Sequence, residues 1–336
     1  FPYCVATNTG TSALHVAMTA LGVQRGDLVV MPSYTFIATA NAVRMCGAEP
    51  WLFDIEEASW GLDPDLLETE FARVTELRDG YLWHKGLGRR IAAVVAVCAA
   101  GQPPRLKEIL DVTSAAGVPL LVDAAGAAGV IYRDQSLGTA VDHAVLSFNG
   151  NKIFTAGGGG AFLTQDEPVA TRVRHLSPPA RTADNSSHDS EGFNYRLTNI
   201  QAAVGCAQLE QADEFLSRKR AIDAAYRVAW QGTQLGPFPY AEWAQSSCWM
   251  TGAVLPKSGP WVVDEMVDGL AARGVQARGF WKPMHLQPPY ASCPRTDMTV
   301  TDDLWQRVIT LPSSTSLTQE DQGRVIAAVL ELVELA

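Results

Sequence analysis

Short apolar runs alternate with amphipathic segments from the start of the chain to Thr164. The apolar runs predict β-strands, and their lack of polar positions is typical of a sheet covered on both faces. These strands are residues 28–31, 51–53, 91–98, 119–122, 143–148 and 161–164. The amphipathic segments predict helices, several of them followed by glycine. These helices are residues 12–21, 35–46, 63–77 and 105–116. This alternation predicts an α/β fold with a large, mainly parallel sheet.

The pattern changes after residue 176. Residues 177–192 are polar and without periodicity, which predicts a long loop of functional importance. A helical stretch from 199 to about 230 then leads into a smaller α/β unit, with a strand at 248–255 and helices at 263–272 and 319–335. We therefore predict two domains, residues 1–215 and 216–336. The chain starts at Phe1 in the middle of a pattern, so we expect that an N-terminal segment is missing.

Composition and charge narrow the class of protein. The chain has 336 residues, 47% of them hydrophobic, and a net charge of -10 without a long basic run, which argues against a nucleic-acid partner. The apolar runs are too short for a membrane span or a signal peptide. The six cysteines are scattered, which argues against a disulfide framework or a zinc site and favours free thiols in the cytoplasm.

Two residues at the ends of predicted strands carry the candidate chemistry. Asp123 ends the run at 119–122, and Lys152 follows the run at 143–148, just before four consecutive glycines at 157–160. Ligands of open α/β sheets bind beyond the carboxyl ends of the strands. There, a lysine can form a Schiff base with pyridoxal phosphate, and an aspartate can keep the pyridinium nitrogen protonated. Each residue alone could equally be a surface lysine or a helix cap.

Three further segments have the residue types of a cofactor site. The turn that contains Gly10 and Thr11 could bind an anion at a helix N-terminus, or could be an ordinary capped helix. Phe36 could stack on a planar ring or pack in the core. Residues 192–203 could be a functional loop or only a capped helix. The turn at residues 7–14 matches neither a dinucleotide fingerprint nor a nucleotide P-loop.

The order and spacing of these segments resemble the DegT/DnrJ/StrS family of pyridoxal-phosphate-dependent sugar aminotransferases. The resemblance covers essentially the whole chain. It rests on residues 8–14, 26–32, 34–39, 122–125, 147–152, 192–196 and 281–285. Residues 147–160 and 195–201 look most like members that act on nucleotide-linked 4-keto-6-deoxy sugars in amino-sugar biosynthesis.

The resemblance implies a fold-type I aminotransferase, with a seven-stranded type of large domain, that forms a homodimer with shared active sites. Lys152 matches the lysine that binds the cofactor, and Asp123 matches the partner of the ring nitrogen. Phe36 matches the residue stacked on the ring. Phosphate-binding positions are matched by Gly10, Thr11 and Ser147, and Asn194 matches an asparagine that reaches the cofactor of the other subunit. The resemblance also implies glutamate as amino donor and the retained Lys152 as catalytic acid and base.

One position departs from the family pattern. The third residue after Asp123 usually carries a side chain near the ring, whereas here it is Gly126, which removes a hydrogen-bonding group or leaves room for something else. Alternatives are an aminotransferase for another keto sugar or a cyclitol in antibiotic biosynthesis, and a cofactor-binding sensor without turnover. A sugar dehydratase of this family would have histidine in place of Lys152, so the lysine argues against that reaction.

Overall fold

A computed structural model describes residues 1–184, 186–259 and 261–335. Asn185 of the predicted loop, and Pro260 and Ala336 of the predicted second domain, lie outside the described residues. The strands are β1 Tyr3–Thr7, β2 Leu28–Pro32, β3 Glu49–Phe53, β4 Thr75–Arg78, β5 Tyr81–His84, β6 Arg89–Val97, β7 Leu120–Asp123, β8 Ile131–Tyr132, β9 Gln135–Ser136, β10 His143–Ser147, β11 Gly160–Thr164, β12 Ala244–Gln245, β13 Gly252–Val254, β14 Arg278–Gly279 and β15 Val308–Thr310. The helices are α1 Gly10–Ala20, α2 Ile37–Met45, α3 Pro64–Val74, α4 Leu106–Ala115, α5 Leu137–Ala140, α6 Glu167–Leu176, α7 Asn199–Leu209, α8 Ala212–Ala229, α9 Val263–Ala272, α10 Thr299–Leu304 and α11 Gln319–Leu335.

The central sheet contains nine strands. Seven lie in the order β1-β11-β10-β7-β6-β2-β3, and the other two form the hairpin β4-β5, in which β5 pairs with β6. Strands β10, β7, β6, β2 and β3 run parallel, whereas β11 is antiparallel to both of its neighbours. The large, mainly parallel sheet predicted from the sequence is thus confirmed. Because β7 and β10 are parallel neighbours, with Asp123 opposite Val145, the chain leaves both strands at the same edge of the sheet.

Successive residues of the buried strands belong to two different hydrophobic cores. In β2, Val29 and Met31 pack in the core with α1 and α2, whereas Leu28 and Val30 pack in the core with α3 and α4. Side chains of a strand alternate between the two faces of its sheet, so both faces are covered by helices. This explains why the strands read as continuous apolar runs in the sequence.

The C-terminal part has its own sheet and its own core. Strands β13, β15 and β14 form a three-stranded sheet that packs with α8, α9 and α11. The proposed division of the chain at residue 215 stays a prediction. None of the described helices combines the length and the apolar character that a membrane crossing needs.

Three elements differ from the sequence prediction by more than two residues. The helix predicted at 63–77 ends at Val74, because a tight hairpin turn at Asp79 and Gly80, both with positive φ, makes the following residues a strand. The helix predicted from 199 to about 230 is two helices, α7 and α8, interrupted at Glu210 and Gln211. The strand predicted at 248–255 is limited to β13, and Cys248 has a φ of 52°. Strands β1, β4, β5, β8, β9, β12, β14 and β15 and helices α5, α6 and α10 were not predicted.

Candidate active site

A cradle for an anion forms where α1 begins. Thr9 caps this helix, since its Oγ1 accepts a hydrogen bond of 3.0 Å from the backbone N–H of Ser12. The turn lies against the end of β10, and a Cβ on Gly10 would be only 2.9 Å from the Cβ of Ser147. A Cβ on Gly160 would be 2.6 Å from the backbone nitrogen of Gly10. Glycine at both positions therefore allows two backbone segments to meet at a helix N-terminus, which suits a phosphate group.

Asp123 is the last residue of β7, and its side chain is buried. Its Oδ2 accepts a 2.7 Å hydrogen bond from the Thr39 hydroxyl, and its Oδ1 accepts a 3.1 Å bond from the backbone N–H of Ala125. Burial raises the pKa of Asp123, and these two donors and the charge of Lys152 act in the opposite direction. Within the described residues, this carboxylate forms no ion pair shorter than 4.0 Å. A buried carboxylate with only neutral donors is costly unless a cation or a protonated nitrogen joins it.

Lys152 follows β10 and is partly buried. Burial lowers the pKa of its amine to about 8, although the charge of Asp123 acts to raise it. About a tenth of this amine is therefore deprotonated at pH 7, and the fraction grows as the pH approaches 8. A deprotonated amine can add to an aldehyde and can accept a proton.

One cavity of about 430 Å³ brings most of the predicted residues together. It is lined by six of the seven predicted site residues, namely Gly10, Thr11, Phe36, Asp123, Ser147 and Lys152. Phe36 immediately precedes α2, and its ring is 58% exposed. Asn194 does not line this cavity. It is exposed, and its carbonyl oxygen accepts a 3.2 Å hydrogen bond from the Asn8 amide beside the anion cradle. No cluster of three or more metal-ligating side chains occurs in the described part of the chain.

Two residues at the site were missed by the sequence analysis. Thr39 lies on α2 and binds Asp123, which is 84 positions away in the chain. Trp249 lies in the cavity wall, with its ring centroid 3.5 Å from the Lys152 amine. The sequence did contain a signal for Thr39, because it lies in the first turn of a helix that follows a predicted strand end. Trp249 had no signal of its own, but Gly126, which it contacts, left space for another group.

We expect Thr39→Val to weaken cofactor binding about tenfold or more, because a hydrogen bond to a charged group contributes roughly 1.5–3 kcal/mol. Without the hydroxyl, the pKa of Asp123 rises further, and less of the carboxylate is charged at neutral pH. Titration of the apoprotein with pyridoxal phosphate, followed by absorbance, measures the dissociation constant. Thr39→Ser keeps the hydroxyl and should retain most of the affinity. Equal affinity for the Val variant and the wild type would contradict this role.

A partly buried lysine and a buried aspartate that follow neighbouring strands of a mainly parallel α/β sheet are typical of a pyridoxal-phosphate-dependent transferase of fold type I. The chain belongs to the DegT/DnrJ/EryC1/StrS aminotransferase family, whose model matches residues 1–330. It is therefore a pyridoxal-phosphate-dependent aminotransferase.

Several named relatives share this sequence and fold. EpsN of Bacillus subtilis (strain 168), provisionally named a pyridoxal phosphate-dependent aminotransferase, is 37% identical, over 97% of this chain and 83% of its own length. The GDP-perosamine synthase of Caulobacter vibrioides is 35% identical, over 97% of this chain and 85% of its own length. DesV of S. venezuelae, solved in complex with a ketimine intermediate, has a TM-score of 0.87 and 29% identity, and the match covers 98% of this chain and 85% of DesV.

The residues of this cavity fit pyridoxal phosphate. The N-terminus of α1 with Ser147 offers donors for a phosphate, and the buried Asp123 lacks a cation that a protonated ring nitrogen would supply. Lys152 offers an amine with a lowered pKa on the same cavity. These three features suit three different parts of one cofactor.

Proposed function

We propose that this aminotransferase moves an amino group from glutamate to the keto carbon of a nucleotide-linked 4-keto-6-deoxy sugar, in amino-sugar biosynthesis. The observation that carries this proposal is that Lys152 and Asp123 line the same cavity. Sugar substrates are supported by relatives, since one is named GDP-perosamine synthase and another, DesI, was solved in the presence of its TDP-sugar product. DesI has a TM-score of 0.86 and 27% identity, over 98% of this chain and 80% of its own.

In this proposal each residue has one task. Pyridoxal phosphate, when bound, supplies an aldehyde that captures the amine and a ring that accepts the electron pair released from the donor's C–H bond. Lys152 holds the cofactor and then carries the proton between the donor's α-carbon and the cofactor. Asp123 keeps the proton on the ring nitrogen. Gly10, Thr11 and Ser147 bind the phosphate, and Phe36 covers one face of the ring.

A cation at the cavity supports an anionic substrate. Arg278 lines the cavity and is exposed, and its backbone is fixed because its carbonyl accepts a hydrogen bond of 3.1 Å from the Thr310 hydroxyl. A guanidinium in that place suits the phosphates of a nucleotide sugar or the carboxylate of the donor. We further infer a cytoplasmic setting, which agrees with six cysteines that are all free in the described chain.

The test is a half-reaction with glutamate alone. The holoenzyme should release one 2-oxoglutarate per site, with loss of the absorbance of the lysine-bound cofactor, and then transfer nitrogen to added nucleotide-linked 4-keto-6-deoxy sugar. Release of 2-oxoglutarate without transfer to the nucleotide sugar would point to another keto sugar or a cyclitol. Absence of any 2-oxoglutarate, with cofactor bound, would contradict turnover and favour a sensor.

We also propose that the enzyme is a homodimer whose sites are shared. Helix α7 is rich in apolar residues, yet none of its residues is buried within the chain, and Ile200 is 81% exposed. An apolar helix without a covering partner marks an interface. Its first turn lies beside the cofactor cavity, because a Cβ built on Gly158, which lines that cavity, would be 2.8 Å from the side-chain amide nitrogen of Gln201. A second copy is the occupant that would bring its Asn194 to this site.

Ile200→Glu should convert the dimer to a monomer and weaken cofactor binding, because it places a charge in an apolar interface. Asn194→Ala should weaken cofactor binding about tenfold in the dimer, since one hydrogen bond to a phosphate is lost. In the Ile200→Glu background the same Asn194→Ala change should have no further effect. Light scattering gives the oligomeric state, and cofactor titration gives the affinity.

Ile200→Val keeps the apolar character and serves as the matched control, which should remain dimeric with wild-type affinity. Unchanged cofactor affinity of Asn194→Ala in a dimer would contradict the shared site.

A further inference from the structure

The indole of Trp249 packs directly against Gly126, in the space that a side chain at position 126 would occupy. Gly126 is the third residue after Asp123 and lines the cofactor cavity. A Cβ built on Gly126 would be 2.3 Å from Cε3 and 2.8 Å from Cδ2 of the Trp249 indole. The indole of Trp249 in this position and any side chain at position 126 therefore exclude each other. The space beside Asp123 that a side chain at 126 would take is filled by a residue 123 positions further along the chain.

Two hydrogen bonds fix the position of Trp249, one made by its indole and one made by the segment before it. Trp249 is only 5% exposed, and its Nε1 donates a 2.7 Å hydrogen bond to the carbonyl of Asn151, the neighbour of Lys152. The segment before it is tied to the loop that contains Gly126, since the Ser247 hydroxyl donates a 2.8 Å bond to the Gly126 carbonyl. A buried ring with its one donor satisfied has a single favoured pose.

The amine of Lys152 lies over the face of this ring. The Nζ of Lys152 lies 3.5 Å from the centroid of the Trp249 ring, which is a close cation–π distance. Trp249 also lines a second cavity of about 610 Å³, which contains polar residues such as Gln208, Lys219 and Ser313. Lys152 and Trp249 are thus part of the wall between the cofactor cavity and this second space.

We propose that Trp249 is a positioning residue for Lys152. Its indole takes the place of a side chain at position 126, holds the free lysine amine at the cofactor cavity, and limits the access of solvent from the second cavity to that amine. Gly126 is required for this arrangement because any larger residue displaces the ring. The inference concerns the site of the proposed function, but its first test needs no turnover.

The first test measures the reactivity of Lys152 in the full-length apoprotein. Acetic anhydride is applied across a pH series, and modification of the Lys152 peptide is followed by mass spectrometry. The midpoint is the pH at which Lys152 reacts at half of its maximal rate. In the wild type it should lie near the amine's pKa of about 8. In Trp249→Ala, solvent reaches the amine, and this hydration should outweigh the lost cation–π attraction, so the midpoint should rise by about one unit or more. Trp249→Phe keeps an aromatic face and should stay within about 0.5 units of the wild type.

The pairing with Gly126 is tested by a double-mutant cycle. Gly126→Ala displaces the indole and should raise the same midpoint, whereas Gly126→Ala combined with Trp249→Ala should rise no further than Trp249→Ala alone. Gly323→Ala is the matched control, because a Cβ there meets no atom within 4 Å, and its midpoint should equal that of the wild type. Far-UV circular dichroism checks folding, and Trp249→Leu replaces the Ala variant if that variant does not fold.

The holoenzyme gives a second readout. Trp249→Ala should lower kcat about tenfold with little change in the KM of the donor, and Trp249→Phe should restore most of it. A wild-type Lys152 midpoint in Trp249→Ala or Trp249→Leu, or additive shifts in the cycle, would overturn the proposal. Failure of the wild-type enzyme to transaminate would refute the proposed function and leave the midpoints as an independent test.

Discussion

Replacing Lys152 with alanine is expected to lower transamination by at least about 10³-fold, the range that a proton-transferring group contributes. The amine lies on the same cavity as Asp123, and its pKa of about 8 leaves a useful fraction unprotonated near neutral pH. Without it, the described residues that line this cavity include no other lysine to bind the cofactor and carry the proton. Release of 2-oxoglutarate from glutamate, measured per folded site, checks the result.

Lys219 offers a matched control for this variant. Burial also lowers the pKa of its amine to about 8, but that amine donates a 2.6 Å hydrogen bond to the carbonyl of Ser313. We read Lys219 as a structural tie between α8 and the segment after β15, so Lys219→Met should lower stability and keep turnover per folded molecule. Wild-type turnover in Lys152→Ala would contradict the role given to this lysine.

Asp123→Asn is expected to have the second largest effect, a loss of about 10²-fold or more in turnover, because the neutral amide cannot hold a proton on the ring nitrogen. The same change should raise the stability of the apoprotein at neutral pH. Burial raises the pKa of Asp123 in the folded chain, so the penalty of the buried charge grows as the pH rises above the ordinary carboxyl range of about 4. Thermal unfolding of the apoprotein at several pH values checks this.

The stability difference between Asp123→Asn and the wild type should shrink as the pH falls through that range, because both side chains are then neutral. A side chain that costs stability and supports turnover is one retained for its function. Asp123→Glu keeps the charge and should retain more turnover than the amide. A destabilised Asn variant with normal turnover would show that Asp123 serves the fold alone.

The part of the site built from local sequence was predictable. Asp123 and Lys152 come at or after the ends of apolar strands. Because these strands are parallel neighbours, the residues at their carboxyl ends lie at the same edge of the sheet. The cradle at Gly10 follows from a glycine and hydroxyl residues that precede a helix. In each case the relevant signal lies within a few residues of the functional group.

The remaining parts depend on contacts between distant segments. Thr39 meets Asp123 across 84 positions, and Trp249 meets Asn151 across 98 positions, so neither contact leaves a local pattern. The same limit applies to the strand predicted at 248–255, where Cys248 adopts a φ of 52° and the chain turns to place Trp249 against Gly126. The hairpin at Asp79 is different, because its Asp-Gly pair was a local turn signal that the helical pattern of α3 concealed.

Reduction of the holoenzyme with borohydride, followed by peptide mass spectrometry, identifies the lysine that binds pyridoxal phosphate. We expect the phosphopyridoxyl group on the peptide that contains Lys152, and the Lys219 peptide should stay unmodified. Attachment at Lys219 or at another lysine, or no attachment after saturation with pyridoxal phosphate, would contradict this expectation.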